Sequence, residues 1–209
     1  SGSMLVFLRH KITFLATPKT GTTAVEMALK PRAEIVFSKN RKHITAVRYA
    51  NKIAPFLEDT FGVRPASVAV MREPVDQIRS WYKYRSQKRL DGTKQSTKGI
   101  SFDQFVREVV SDKPPERAQI GRQFSFLTDG KTRVMADHVF AYEHQETFLM
   151  FLSEHLQHPV EITPKNVSPL IDAPLGDETL ALLREVRAED FMLYDAVLEA
   201  KGHLVTPQA

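Results

Sequence analysis

The segment ITFLATPKTGTTAVEMAL, residues 12–29, has the residue types of an anion-binding loop. The first turn of a helix has unpaired N–H groups and a partial positive charge, so it attracts anions. A glycine there lets the backbone wrap closely around a ligand, and a lysine adds a full charge. We therefore predict an oxyanion-binding loop; an ordinary capped loop with its lysine in solvent is the alternative. The residues concerned are Lys19, Thr20, Gly21, Thr22 and Thr23.

A nucleotide kinase is the competing class of protein for such a loop. In the P-loop pattern G-x-x-x-x-G-K-[ST], the lysine follows the second glycine and reaches the β- and γ-phosphates. Here Lys19 precedes the only glycine of the loop, Gly21, by two residues. The clearest later strand runs into Arg72, so a cation stands where an acidic Mg²⁺ ligand is expected. The order of residues favours a second anion site at Arg72.

The segment VAVMREPVDQIRSWYKYR, residues 68–85, predicts this second anion site. Arg72 follows a strand directly, and Ser80 lies eight residues later on a helix that Pro74 opens. About two helical turns bring the hydroxyl back beside the guanidinium, and arginine binds phosphate through planar, bidentate donors. A surface ion pair of Arg72 with Glu73 or Asp76 is the alternative.

A ligand with one anionic group at each of these strand ends fits 3′-phosphoadenosine 5′-phosphosulfate (PAPS). The chain resembles the PAPS-dependent sulfotransferase family, in particular the branch that includes bacterial and carbohydrate sulfotransferases. PKTGTT is similar to the 5′-phosphosulfate loop of that family, and REPVDQIRSWY is similar to its 3′-phosphate motif. Weaker similarities extend the resemblance over residues 12–200: RKHITA, QFSFL, KNVSP and AEDFMLYDAVL.

This resemblance implies a P-loop-like three-layer α/β/α fold and a reaction that needs no metal. The enzyme would transfer the sulfonate of PAPS to a hydroxyl, or less readily to an amine, and release PAP. The expected partner is a small-molecule or glycan acceptor. A P-loop nucleotide kinase or NTPase, or a non-catalytic nucleotide-binding relative, remains the alternative.

The resemblance also implies roles for individual residues. Lys19 would stabilise the bridging oxygen of the leaving phosphate, where negative charge builds as the S–O bond breaks. Arg72 and Ser80 would bind the 3′-phosphate. Two residues of a C-terminal loop, Asn166 and Ser168, would close over the nucleotide. The 5′-phosphate would be held by backbone and hydroxyl groups of Thr20, Gly21, Thr22 and Thr23.

An acceptor hydroxyl must lose its proton as it attacks sulfur, so a general base is expected within hydrogen-bond reach. His43 lies between a predicted strand and a predicted helix, in the segment that resembles the one carrying the catalytic histidine. The neighbouring cations Arg41 and Lys42 favour a lowered pKa and the neutral imidazole that a base needs. Packing or helix capping is the alternative role for His43, and Glu26 is the alternative base.

The composition predicts one globular domain over residues 4–209, with residues 1–3 a cloning remnant. Apolar residues at 42% and charged residues at 26% exclude disordered and fibrous classes. The absence of cysteine excludes disulfides and cysteine-built zinc sites. A net charge of +4 suits an anionic ligand but is too small to predict a nucleic-acid partner. No run approaches the ~20 apolar residues of a membrane span, so we expect a cytoplasmic protein without membrane attachment.

Hydrophobic periodicity predicts the elements that position these residues. Strands are expected at 12–16, 33–37, 67–71 and 133–136, the last continuing toward 140. Helices are expected at 22–29, 45–60, 74–88, 102–110, 118–127, 147–156 and 178–186, with a last helix ending near 200. Such alternation predicts an α/β fold whose mostly parallel sheet is covered on both faces and binds ligands beyond the carboxyl ends of its strands.

Residues 89–99 lack periodicity and predict a mobile loop or a lid that contacts the acceptor. Basic side chains in and before this loop, alternating with Trp81, Tyr82 and Tyr84, suit an acidic glycan or another anionic acceptor. A solvated basic face is the interpretation that the sequence favours.

Overall fold

A six-stranded mixed sheet lies at the centre of an α/β fold. The computed structural model describes residues 3–163 and 171–207. The strands are β1 (Met4–Phe7), β2 (Ile12–Phe14), β3 (Ile35–Phe37), β4 (Ala66–Met71), β5 (His138–Ala141) and β6 (His203–Val205). Their order across the sheet is β3-β1-β2-β4-β5-β6. The central strands β2, β4 and β5 are parallel, whereas β1, β3 and β6 pair antiparallel with their neighbours.

Helices cover both faces of the sheet. They are α1 (Thr22–Leu29), α2 (Ala46–Arg48), α3 (Ala54–Phe61), α4 (Pro74–Arg85), α5 (Phe102–Val109), α6 (Gln123–Leu127), α7 (Gln145–Leu156), α8 (Asp177–Val186) and α9 (Ala188–Glu199). A π-helical segment, Tyr49–Ile53, joins α2 to α3. Side chains of α1 and α7 pack on one face, and side chains of α2, α3, α6 and α9 pack on the other. A separate apolar cluster joins α4, α5 and α8.

The residues of β4 show why the parallel strands lie in the centre. Val68 and Val70 point into one apolar cluster, and Ala69 and Met71 point into the other. Because both faces are buried, the strand reads as a continuous apolar run rather than as an alternating one. The end of such a strand is therefore visible in the sequence, and the polar Arg72 follows it directly.

The observed sheet contains two strands, β1 and β6, that were not predicted. Both pair antiparallel with their neighbours, and parallel pairing is therefore confined to the centre of the sheet. β1 is a four-residue apolar run buried throughout, and β6 has only three residues, so neither shows a period. The strand predicted from 133 toward 140 lies at 138–141, so its end was predicted to within one residue, whereas Val134 forms only an isolated bridge with Thr128.

The predicted helices are found with small changes of their ends. The helix predicted at 22–29 has those bounds, and the one predicted at 74–88 ends at residue 85. The helix predicted at 118–127 is shorter, because a 3-10 turn at 116–118 precedes α6. No helix within the described ranges combines the length and the hydropathy that a membrane crossing requires.

Candidate functional site

The two predicted anion-binding segments lie side by side at the carboxyl ends of the central strands. β2 leads into residues 17–23, and β4 leads into Arg72. The Arg72 Nη1 group donates a hydrogen bond to the carbonyl oxygen of Lys19 at 3.2 Å. The guanidinium carbon of Arg72 also lies 4.4 Å from the ring centre of Tyr142, the residue after β5. Three neighbouring strand ends therefore meet at one place.

The loop between β2 and α1 has a tightly wound backbone. Lys19 and Gly21 both have positive φ values, 64° and 76°. The buried Thr20 hydroxyl donates to the carbonyl oxygen of Thr17 at 2.8 Å and closes the turn. A Cβ at Gly21 would lie 3.2 Å from Cε1 of Tyr142. Glycine is therefore needed at residue 21 both for its backbone conformation and for the approach of Tyr142.

Two buried glutamines hold these segments in place. The side chain of Gln123 accepts from the backbone N–H of Arg72 and donates to its carbonyl oxygen, both at 2.8 Å. The Gln77 amide lies 3.4 Å from the carbonyl oxygen of Pro18 and 3.3 Å from that of Gly121, and donates to both. These contacts join α4 to the loop and α6 to Arg72, so both anion-binding segments are fixed to helices.

The Lys19 side chain extends toward α4. Its Nζ atom lies 4.0 Å from the ring centre of Tyr84 and 5.7 Å from that of Trp81. Burial is the main cause that lowers the pKa of Lys19 to about 8, and three nearby guanidinium groups contribute to the shift. These groups belong to Arg72, Arg85 and Arg89. Lys19, Arg85 and Arg89 are thus gathered around the rings of Trp81 and Tyr84, and Arg72 lies close enough to Lys19 to affect its pKa.

None of these four cations forms an ion pair with a carboxylate in the part of the chain that the structure describes. Their donors reach neutral oxygens instead. Arg85 donates to three carbonyl oxygens, those of Glu116, Arg117 and Gln119. Arg89 donates to the Tyr84 hydroxyl. Because like charges this close repel one another, an anionic ligand would stabilise the cluster.

Three buried polar side-chain atoms lack a hydrogen-bond partner among the described residues, and all three belong to this site. They are Thr17 Oγ1, Arg72 Nε and Trp81 Nε1. The arginine and tryptophan nitrogens can only donate. Leaving a buried donor unpaired costs about 1–3 kcal/mol. A ligand that offers acceptor oxygens is the chemical complement of such a site.

His43 contacts the start of the same loop. Its Nδ1 atom lies 2.8 Å from the carbonyl oxygen of Ala16. Because a carbonyl only accepts, Nδ1 carries the proton, and Nε2 of the neutral ring is left as an acceptor. Partial burial is the main cause that lowers the pKa of His43; Lys42 contributes, and the hydrogen bond to Ala16 opposes the shift. The direction agrees with the prediction, whereas the main cause is burial rather than the neighbouring cations.

The surface ion pairs that were the alternative role for Arg72 are not formed, because Glu73 and Asp76 have other partners. Arg72 does not pair with Glu73, whose carboxylate caps α4 by accepting from the backbone N–H groups of Val75 and Asp76. Asp76 in turn pairs with Arg79. Ser80 is buried on α4, in the helix that carries the two aromatic rings.

The remaining predicted residues are placed as follows. Thr22 and Thr23 form the first turn of α1, with Thr22 buried. Glu26 lies one turn further along α1, where its carboxylate pairs with Lys30 at 3.5 Å. Asn166 and Ser168 lie outside the described residues.

Three residues of the site were not predicted: Gln77, Gln123 and Tyr142. Tyr142 directly follows the central strand β5. The rule that ligands bind at the carboxyl ends of strands therefore gives a signal for this residue. The glutamines have no comparable signal, because their partners are backbone atoms distant in the sequence.

Comparison of the chain with protein-family models, curated proteins and solved structures found no match.

The contact between Gly21 and Tyr142 predicts an unusual cost for Gly21→Ala. A left-handed conformation costs a residue with a Cβ about 1–2 kcal/mol, and here the added Cβ also displaces Tyr142. Gly62→Ala is the matched control, since Gly62 has φ 73° and no atom within 4 Å of its added Cβ. In urea denaturation we expect Gly21→Ala to lose more unfolding free energy than Gly62→Ala. Equal losses would show that Tyr142 does not restrict the loop.

Proposed function

We propose that this protein transfers the sulfonate group of PAPS to an acceptor hydroxyl and releases PAP. The observation that carries the proposal is a cluster beside three parallel strand ends, in which four cations have no carboxylate partner and buried donors have no acceptor among the residues that the structure describes. A ligand with several anionic oxygens satisfies both features. The covered parallel centre of the sheet is consistent with the P-loop-like three-layer α/β/α fold that the resemblance implies.

The proposed division of the nucleotide follows the two segments. The loop with Thr20, Gly21, Thr22 and Thr23 would bind the 5′-phosphate through its backbone and hydroxyl groups, and Lys19 would reach the bridging oxygen. Arg72 and Ser80 would bind the 3′-phosphate. Arg72 touches the loop through the Lys19 carbonyl, so the two segments are adjacent, which supports the binding of one nucleoside bisphosphate across them.

The proposed reaction is an in-line displacement at sulfur. The acceptor oxygen forms a bond to sulfur, and Nε2 of His43 takes the hydroxyl proton. The bond between sulfur and the bridging oxygen breaks, and its electron pair stays on the phosphate of PAP. The Lys19 ammonium stabilises that developing charge, and with a pKa of about 8 it is mainly protonated at neutral pH.

The alternative, a kinase or NTPase, requires a carboxylate at the strand ends that is available to Mg²⁺. The two carboxylates nearest these ends in the sequence are Glu73 and Glu143. Glu73 caps α4. Glu143 accepts from the backbone N–H of Glu73 at 3.1 Å and from the Tyr194 hydroxyl at 2.6 Å. Both are engaged by protein donors, which favours the sulfotransferase.

Calorimetry with PAP and ADP tests the nucleotide assignment. PAP carries the 3′-phosphate that ADP lacks, and hydrogen bonds to charged groups contribute about 1.5–3 kcal/mol, so we expect PAP to bind about 10- to 100-fold more tightly. Arg72→Gln should remove most of this difference. Arg79→Gln, the same change at an arginine of α4 that pairs with Asp76, should preserve it. Equal affinities for PAP and ADP, or tighter binding of Mg-ATP, would contradict the proposal.

The role of His43 predicts a separation of binding from turnover. Because loss of a general base costs about 10²–10⁴-fold in rate, we expect His43→Gln to lose turnover by that factor while its PAP affinity stays within a few-fold. Since the pKa of His43 is lowered, kcat/KM of the unmodified protein should fall on the acid side only as pH drops below 6.5. On the alkaline side it should fall as Lys19 loses its proton, at a pH of about 8. Glu26→Gln is the control for the alternative base and should retain turnover. Retained turnover in His43→Gln would refute the assignment.

A further inference from the structure

One cation of the site, Arg89, belongs to neither nucleotide segment. Its Nε donates to the Gln87 side-chain oxygen at 3.0 Å, and its Nη2 donates to the Tyr84 hydroxyl. The guanidinium carbon lies 5.0 Å from the Tyr84 ring centre. The side chain is exposed, and the one carboxylate of its turn, Asp91, pairs with Lys98 at 3.1 Å instead. Arg89 thus presents its charge to the surroundings of the site.

The turn that carries Arg89 is packed against α4. A 3-10 turn spans Lys88–Leu90, and Leu90 is buried. Further along, the buried Thr97 donates through its hydroxyl to the carbonyl oxygen of Tyr82 at 2.8 Å and through its backbone N–H to that of Arg85 at 3.1 Å. The segment predicted as a mobile loop or lid is a series of turns fastened to α4 at both ends. Arg89 is therefore held in place.

Arg89 also lies close to the position where sulfonate transfer would occur. The Lys19 Nζ atom lies 4.0 Å and the Arg89 guanidinium carbon 5.0 Å from the centre of the same ring, that of Tyr84. The distance between the two groups therefore cannot exceed the sum of these two distances. Arg85 is buried and donates to three carbonyl oxygens, which leaves it unsuited to meet a ligand. Arg89 is the cation with accessible donors beside Lys19.

We propose that Arg89 forms an acceptor subsite, separate from the two anion sites of the nucleotide, and that this subsite binds a negatively charged group of the acceptor. The acceptor is then a hydroxyl compound with a carboxylate, sulfate or phosphate near the hydroxyl that reacts. The assignment of Lys19 and Arg72 to the nucleotide, and hence of Arg89 to the acceptor, rests on the proposed function. A neutral acceptor would leave the charge of Arg89 uncompensated among three other cations.

A pair of acceptor probes that differ in one charged group tests the subsite. The probes are 4-nitrophenyl β-D-glucuronide and 4-nitrophenyl β-D-glucoside, and their binding to the PAP-saturated protein is measured by calorimetry. We expect the glucuronide to bind at least about tenfold more tightly, as one charge-assisted contact provides. With PAP kept at saturation, Arg89→Gln should remove this preference by weakening the binding of the glucuronide and not that of the glucoside, and Arg89→Lys should keep part of it.

Lys94→Gln is the matched control, because Lys94 is an exposed cation of the same segment and loses the same charge. Equal binding of the two glycosides, no binding of the glucuronide, or an equal loss in Lys94→Gln would overturn the subsite. Failure of the unmodified protein to bind PAP would instead overturn the proposed function. In that case the same comparison of glycosides without PAP still decides whether Arg89 binds an anion.

Discussion

The hydrogen bond from Arg72 to the carbonyl oxygen of Lys19 is the contact on which the arrangement of the site depends. It joins the end of β4 to the loop that follows β2, at a residue, Lys19, whose backbone is left-handed. Tyr142 supports the guanidinium from the end of β5, and Gln123 holds the Arg72 backbone from α6. Elements distant in the sequence are thus assembled around one guanidinium, whose Nε has no hydrogen-bond partner in residues 3–163 and 171–207.

The aromatic rings of α4 explain how the chain folds with so many positive charges in one place. A cation over the face of an aromatic ring gains about 0.5–2 kcal/mol, depending on how far it is desolvated. Trp81 and Tyr84 provide such faces for Lys19, and each also contacts a guanidinium. This contribution offsets part of the repulsion and of the desolvation of Lys19. The rest of the repulsion makes binding of an anion more favourable.

The sequence is informative where a single strand or helix determines the outcome. The apolar run of β4, the proline that opens α4 and the glycine at the start of α1 identified the ends at which polar residues gather, and the contact between Lys19 and Arg72 confirms that the two segments meet. Other contacts depend on tertiary packing. The extension of Lys19 toward Tyr84, and the clamps of Gln77 and Gln123, join residues that no local period relates. Two of the short strands, β1 and β6, also escaped prediction, because a run of three or four residues gives only a weak periodic signal.

The central claim is that one nucleoside bisphosphate spans the loop after β2 and the arginine after β4. A crystal structure of the protein with PAP tests it most directly. The account predicts the 5′-phosphate within hydrogen-bond distance of residues 17–23 and the 3′-phosphate on Arg72 and Ser80, with His43 and Arg89 facing the space beyond the 5′-phosphate. A PAP molecule bound elsewhere, or bound here with its 3′-phosphate away from Arg72, would contradict the claim.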